Sequence, residues 1–190
     1  MNLRNFQCKT IKTLLSVYTS HYISSDANLV SACAGCTSFC TAGLLLRLNQ
    51  SSASGWTSGG NGFTTYTYSW IAPDASSTIH FQFFTVASNN YWNLDSVSVR
   101  DSSGVERITN GAFNSKTGWT ETCSIGGCAS IQNYGPGLTP DYWVNCVSST
   151  NYYSVSQTFT SVPCMTYNIS FAIARFKGST AVSNAFVYIY

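Results

Sequence analysis

The residues best suited to chemistry in this chain are aromatics with polar neighbours: Trp56, Tyr134, Tyr142, Trp143 and Tyr152, together with His80 and Gln82. Sugar rings have apolar C–H faces that pack on aromatic planes, while amides, imidazoles and hydroxyls fix their orientation. Trp56 lies in a Ser/Gly-rich stretch, and Tyr142-Trp143 follow Pro140-Asp141, so these aromatics are expected in loops. Large aromatics exposed in loops mark contact sites. His80 and Gln82 alternate with Ile79, Phe81 and Phe83, which places them on the polar face of a strand.

Catalytic chemistry has less to draw on. A glycosidase usually needs two carboxylates about 5–10 Å apart. The chain has 7 acidic residues, and no spacing singles out a pair such as Asp95 with Glu121 or Asp141. A nucleophilic Ser or Cys needs a base beside it, whereas His80 sits mid-strand and His21 lies in a segment without a clear pattern. No Gly-rich phosphate loop joins a strand to a helix. Cys33-x-x-Cys36-x-x-x-Cys40 has metal-like spacing, but no second pair and no nearby histidine completes a zinc site. The 8 cysteines read as disulfides or free thiols, with Cys123–Cys128 favoured as a local loop closure among the connectivities allowed. Disulfides and the acceptor sequences Asn49-Gln-Ser51 and Asn168-Ile-Ser170 fit an extracellular, secreted protein. No convincing signal peptide opens the chain. A glycan on Asn168 is expected to cover a sheet-face groove and shift binding to the loops.

The elements that must position these residues are strands. Charged residues make up 8% of the chain, against roughly 25% in ordinary soluble domains. Aromatics make up 15%, and with Thr and Val they favour a pleated, half-buried surface. A net charge of +2 without clustered Lys and Arg excludes nucleic acid as a partner. It suits neutral polar ligands. Residues 29–46 are free of acidic and basic groups but are diluted by Ser, Thr, Gly and Cys. A membrane helix needs about 20 mostly apolar residues, so this stretch reads as strands and loops, and a membrane partner is not expected.

Alternation is frequent after residue 50. Tyr66, Tyr68 and Trp70 share one face, and Tyr167, Ile169, Phe171 and Ile173 share another. Val155 and Phe159 belong to a strand before the latter, and Pro73-Asp74 marks a turn. In Tyr91-Trp-Asn-Leu-Asp-Ser-Val-Ser-Val-Arg100, the pair Trp92 and Leu94 is out of phase with Val97 and Val99. One extra residue near Asp95-Ser96 reconciles them, which predicts a β-bulge. Thr65–Ile71 echoes the run from Thr166 to Ile173, as equivalent strands of a sandwich would. The chain stops inside the alternating run Phe186-Val-Tyr-Ile-Tyr190, which reads as a truncated module.

Several motifs occur in a recognisable order. They are Ile108-Thr-Asn-Gly-Ala-Phe-Asn114, Gly118-Trp119, Val155-Ser-Gln-Thr-Phe-Thr160 and Thr166-Tyr-Asn-Ile-Ser-Phe171. Through them, residues 104–174 resemble the first half of a jelly-roll carbohydrate-binding-like module of the tandem extracellular type. Residues 62–101 are similar to the second half of such a module, ending in Trp92-Asn-Leu-Asp-Ser-Val-Ser-Val99. The resemblance implies an all-β jelly roll or β-sandwich of antiparallel strands. It also implies a structural calcium between first and last strands, at Asp95 and Asn114, with Asp101 or Glu106 as further donors. One acidic position of the family pattern is Ser96 here and another is Asn114, so that site is expected to be weakened.

The last strand of one half and the first strand of the next are joined by residues 101–109, short enough for a hairpin. The chain is therefore expected to be a poorly patterned segment, 1–55, followed by one composite, permuted sandwich over 56–190, built from 62–101 and 104–190. Its expected function is non-catalytic binding of a saccharide or glycoprotein. The rivals are a structural or adhesive repeat, a small hydrolase with an atypical carboxylate, and a fragment without a stable fold. Trp92, Trp119 and Trp70 are expected in the core. The oligomeric state is left open.

Overall fold

The alternating segments form strands, and the strands stack as two sheets. The computed structural model describes residues 30–32, 39–41, 43–50, 62–85, 90–123, 129–132, 141–144, 152–177 and 183–190. The elements are β1 (Val30–Ala32), β2 (Phe39–Thr41), β3 (Gly43–Gln50), β4 (Thr64–Ile71), β5 (Ser76–Thr85) and β6 (Asn90–Asp101). They continue with β7 (Thr120–Cys123), β8 (Ala129–Gln132), β9 (Asp141–Val144), β10 (Tyr153–Thr160), β11 (Thr166–Lys177) and β12 (Ser183–Ile189). Among the described residues there is no helix, and so none long and apolar enough to cross a membrane. β1 pairs with β2, and the rest form two antiparallel five-stranded sheets, β3-β12-β5-β10-β7 and β4-β11-β6-β9-β8. The all-β sandwich expected from the sequence is the observed class. Within residues 1–55, β3 joins the first sheet beside β12.

Parity decides what is inside. Ile79, Phe81 and Phe83 of β5 are buried, as are Ala185, Val187 and Ile189 of β12. From the other sheet come Trp70, Tyr167, Ile169, Phe171, Trp92 and Leu94. Phe81 meets Phe171 across the interface edge to face, ring centroids 5.3 Å apart. Phe83 packs on Trp92 at 6.1 Å, and Phe159 on Trp70 at 6.4 Å. The tryptophans expected in the core are there. The two echoing segments are neighbours in one sheet: β4 and β11 pair with Trp70 opposite Tyr167 and Tyr66 opposite Phe171.

The bulge lies where the phase change predicts it. Ser170 faces Ser98, but Ala172 faces Asp95, so β6 carries one residue more than β11. Ser96 takes φ 52, which is the left-handed kink that accommodates the extra residue. Both Leu94 and Val97 thereby reach the core despite their odd spacing.

The segment expected to open with a strand at Asn110-Gly-Ala-Phe-Asn114 does not form one. Asn110 and Phe113 have φ 56 and φ 50, and such left-handed residues interrupt an extended run. The chain instead reverses at Asp101–Gly104, where the Gly104 amide donates to the Asp101 carbonyl at 2.9 Å and Gly104 has φ 81. It then runs back along β6: Arg107 N–H donates to Val99 O, and Val97 N–H to Gly111 O. Gly111 lies so close to β6 that a Cβ on it would come within 1.8 Å of the Val97 carbonyl oxygen. Gln157 of β10 holds the same loop by accepting from Thr109 N–H at 2.6 Å and donating to Thr109 O at 2.9 Å. Phe113 stacks on Trp119 at 4.9 Å, and Trp119 reaches Phe81 at 6.2 Å. The motif residues therefore form a plug on the side of the sandwich.

Two expectations follow for stability. Phe81→Ala removes the central ring and is expected to lower unfolding free energy by about 3–5 kcal/mol. Gly111→Ala forces the plug away from β6 and is expected to cost about 1–3 kcal/mol. Urea titration of each variant against the parent chain measures both, and a loss below the surface-mutation range of about 0.5 kcal/mol would contradict either assignment.

Candidate functional site

Because Ile79, Phe81, Phe83, Val187 and Ile189 point inward, their strand neighbours face outward. Strand register arranges those neighbours in three rows across β3-β12-β5-β10-β7. One row runs Arg47, Phe186, Gln82, Ser154 and Thr122. The next runs Leu44, Tyr188, His80, Ser156 and Thr120. The third runs Tyr190, Thr78 and Thr158, where Tyr190 and Thr78 exchange backbone hydrogen bonds. From β12 onward each row passes from an aromatic, through β5, to hydroxyl groups, of which Ser154 is buried and Ser156, Thr158, Thr120 and Thr122 are at least partly exposed.

The rings form a connected surface. Phe186 and Tyr188 lie 6.3 Å apart with planes inclined by 19°. His80 lies 6.2 Å from Tyr188 and 6.3 Å from Tyr190. The Arg47 guanidinium sits over the Phe186 ring, 5.8 Å from its centroid. On the far side, the Thr78 and Thr158 hydroxyls share a hydrogen bond of 2.9 Å. Phe186, Tyr188, His80 and Gln82 are half-buried, while Tyr152 and Tyr190 are exposed. Partial exposure leaves ring faces available for contact.

Local electrostatics favour uncharged forms. Burial pushes the His80 imidazole below its ordinary value. Burial raises Tyr188, nearby Tyr152 raises it further, and Arg47 opposes both. Burial also raises Tyr190. At neutral pH the aromatic side is therefore a set of neutral donors and acceptors beside one guanidinium.

Of the residues singled out in the sequence, His80 and Gln82 lie centrally on this surface, and Tyr152 directly precedes β10 in it. Tyr142 and Trp143 are not in a loop. They stand in β9 of the other sheet, opposite Leu94 and Asn93, because the run after Pro140-Asp141 extends and pairs with β6. Trp56 and Tyr134 lie outside the described residues. Phe186, Tyr188, Tyr190 and Arg47 were not singled out. For the three aromatics the signal is the alternation with aliphatic residues over 186–190, which assigns them to one face, while Arg47 is placed only by the pairing of β3 with β12. Asn168 is exposed on β11 in the opposite sheet, so a glycan on it leaves these rows uncovered.

The expected metal corner is different. Asp95 is buried at the bulge, and its Oδ1 accepts the Ser96 N–H at 2.5 Å. Asn114 is exposed in the plug. Asp101 Oδ1 caps the turn by accepting from Ser103 and Val105 amides, while Oδ2 pairs with Arg107. These contacts, led by Arg107, hold the Asp101 carboxyl below the usual range. Burial pushes Glu106 up, but the Ser98 hydroxyl and the Val99, Ile108 and Arg107 amides donate to it and bring it down overall. Among the described residues no three His, Cys, Asp or Glu gather as metal ligands. Calcium requires roughly six to eight oxygens converging on one point, and Asp95, Asp101 and Glu106 do not gather into such a group. The carboxylates named as further donors instead organise the turn.

No family profile, curated protein or solved structure matches this chain. The functional case therefore rests on the geometry of its own residues.

His80 gives a pH expectation. Its folded value is depressed, so the unfolded chain takes up the proton first as pH falls. Its contribution is full above its ordinary value of 6.5 and is lost as pH drops through that value towards the folded one. His80→Gln is expected to flatten stability against pH in that window, seen as matching denaturant midpoints at about pH 7 and about pH 5.5. Parallel profiles for variant and parent would contradict the burial of the imidazole.

Proposed function

We propose that this protein is a non-catalytic, extracellular carbohydrate-binding module of jelly-roll type, holding saccharide on the outer side of β3-β12-β5-β10-β7. The observation that carries this is the set of three rows, in which aromatic planes on β12 adjoin amide and imidazole groups on β5 and hydroxyls on β10 and β7. Stacking on Phe186, Tyr188 and Tyr190 supplies contact area, and Gln82, His80 and the hydroxyls set orientation. The strands are spaced about 4.8 Å apart, so the rows lie as a broad surface suited to an extended chain. Strand nesting supports the jelly roll: β12 lies between β3 and β5, and β11 between β4 and β6. It also supports one composite domain, since β5 is flanked by strands from the later half and β11 by strands from the earlier one. The disulfide at Cys164 and the exposed Asn168 acceptor are what support an oxidising, extracellular setting.

One observation favours a second role, that of an adhesive repeat. β3 ends its sheet, carries four leucines, and leaves Leu44 exposed. Such an edge invites pairing with another chain.

Polysaccharide pull-down and calorimetry distinguish the two. Tyr188→Ala is expected to weaken saccharide binding about tenfold, near 1.4 kcal/mol, with circular dichroism unchanged. Trp143→Ala, in β9 of the other sheet, is expected to leave it within about twofold. Loss of binding in Trp143→Ala alone would move the site off this sheet. Self-association without any saccharide dependence in sedimentation would favour the adhesive role.

A further inference from the structure

We propose that the saccharide held on this face carries an oxyanion, a uronate carboxylate or a sulfate ester, and that Arg47 receives it. This rests on the carbohydrate-binding function proposed above and names the ligand class of the same site.

Arg47 is exposed at the middle of β3, directly opposite Phe186 in the ladder. Its guanidinium lies over that ring, 5.8 Å from the centroid. A guanidinium over an aromatic face keeps its edge N–H groups free to donate in the plane, the geometry that meets a carboxylate or sulfate with two parallel hydrogen bonds. Among the described residues the resolved ion pairs are Arg100–Glu106, Arg107–Asp101 and Lys116–Glu121, and none involves Arg47. The strands that carry the surface offer it no partner either. Gly43–Gln50, Ser183–Ile189, Ser76–Thr85 and Tyr153–Thr160 contain no Asp or Glu, and the one carboxylate of Thr120–Cys123, Glu121, stands opposite inward-facing Val155 at the far edge of the sheet and pairs with Lys116. Among the described residues, a positive charge thus stands beside neutral rings and hydroxyls on a face to which strand register brings no carboxylate. A neutral sugar would satisfy the rings and hydroxyls but leave that charge unused. A single cation is too few for a nucleic acid backbone, which needs clustered neutralisation.

The test uses the full chain with three soluble polymers: polygalacturonate, dextran sulfate and neutral dextran. Affinity electrophoresis or calorimetry reads retention. At least one anionic polymer is expected to bind about tenfold more tightly than dextran, and which one it is separates carboxylate from sulfate. That preference is expected to fade in about 0.5 M salt. Arg47→Gln should abolish the preference, so that the variant binds the anionic polymer no more tightly than it binds dextran. Arg47→Lys should keep part of the preference, because the charge remains and the fork is lost. Equal binding of neutral and anionic polymers, or a preference that survives Arg47→Gln, overturns the proposal while leaving saccharide binding intact. Binding of no polymer by the folded parent chain overturns both.

Discussion

The contact of Phe81 with Phe171 joins β5, the central strand of one sheet, to β11 of the other. Around it, Trp119 closes on Phe81 from the side, Tyr66 and Tyr68 stack on Phe171, and Phe83 packs on Trp92. Burying rings of this size is the main favourable term available to a chain with so little charge. Everything else in the molecule is subordinate to keeping those rings in phase. A slip of one residue in β5 would exchange Ile79, Phe81 and Phe83 for His80, Gln82 and Phe84.

The same constraint makes the outer surface. A strand has only two faces, so committing aliphatics of β12 to the core commits Phe186 and Tyr188 to the outside. Elsewhere the core requirement and strict alternation conflict, and the chain yields locally. On β6 the conflict is resolved by the left-handed Ser96, which lets both Leu94 and Val97 turn inward. At the plug it is resolved by abandoning the strand. Asn110 and Phe113 turn left-handed, and Gln157, Trp119 and Gly111 hold the loop in place of a ladder.

These differences explain what could be read in advance. The strands β4, β5, β10 and β11, their inward faces and the bulge were legible, because each leaves a two-residue rhythm or a break in one. The plug was not legible as a loop, because backbone dihedrals at Asn110 and Phe113 leave no mark on hydropathy. Its residues were noticed through their order, and they prove to be packing and clamping groups. The surface was legible only in part. His80 and Gln82 stood out as polar residues against an apolar set. Phe186, Tyr188 and Tyr190 did not, since both faces of β12 are apolar by composition and only pairing with β5 says which turns inward. Tyr142 and Trp143 misled for the converse reason, as a preceding Pro-Asp suggests a turn but does not forbid a strand directly after it.

Aromatic residues therefore occupy two settings here, and burial separates them. Phe81, Trp92 and Phe171 are ringed by other side chains on all sides and hold the sheets together. Phe186 and Tyr188 stand on β12, next to β5 in the sheet that carries Phe81, and face the opposite side, so their planes inherit the rigidity of the core without being enclosed by it. Rings fixed this way lose little freedom when a ligand arrives, which is the advantage of building a contact surface on a sheet rather than on loops. The three-row order adds direction to that rigidity. Aromatic groups lie towards β3, hydroxyls towards β7, and the neutral His80 and Gln82 between them, so the saccharide proposed above, if laid across the strands, would meet stacking and then hydrogen bonding in sequence.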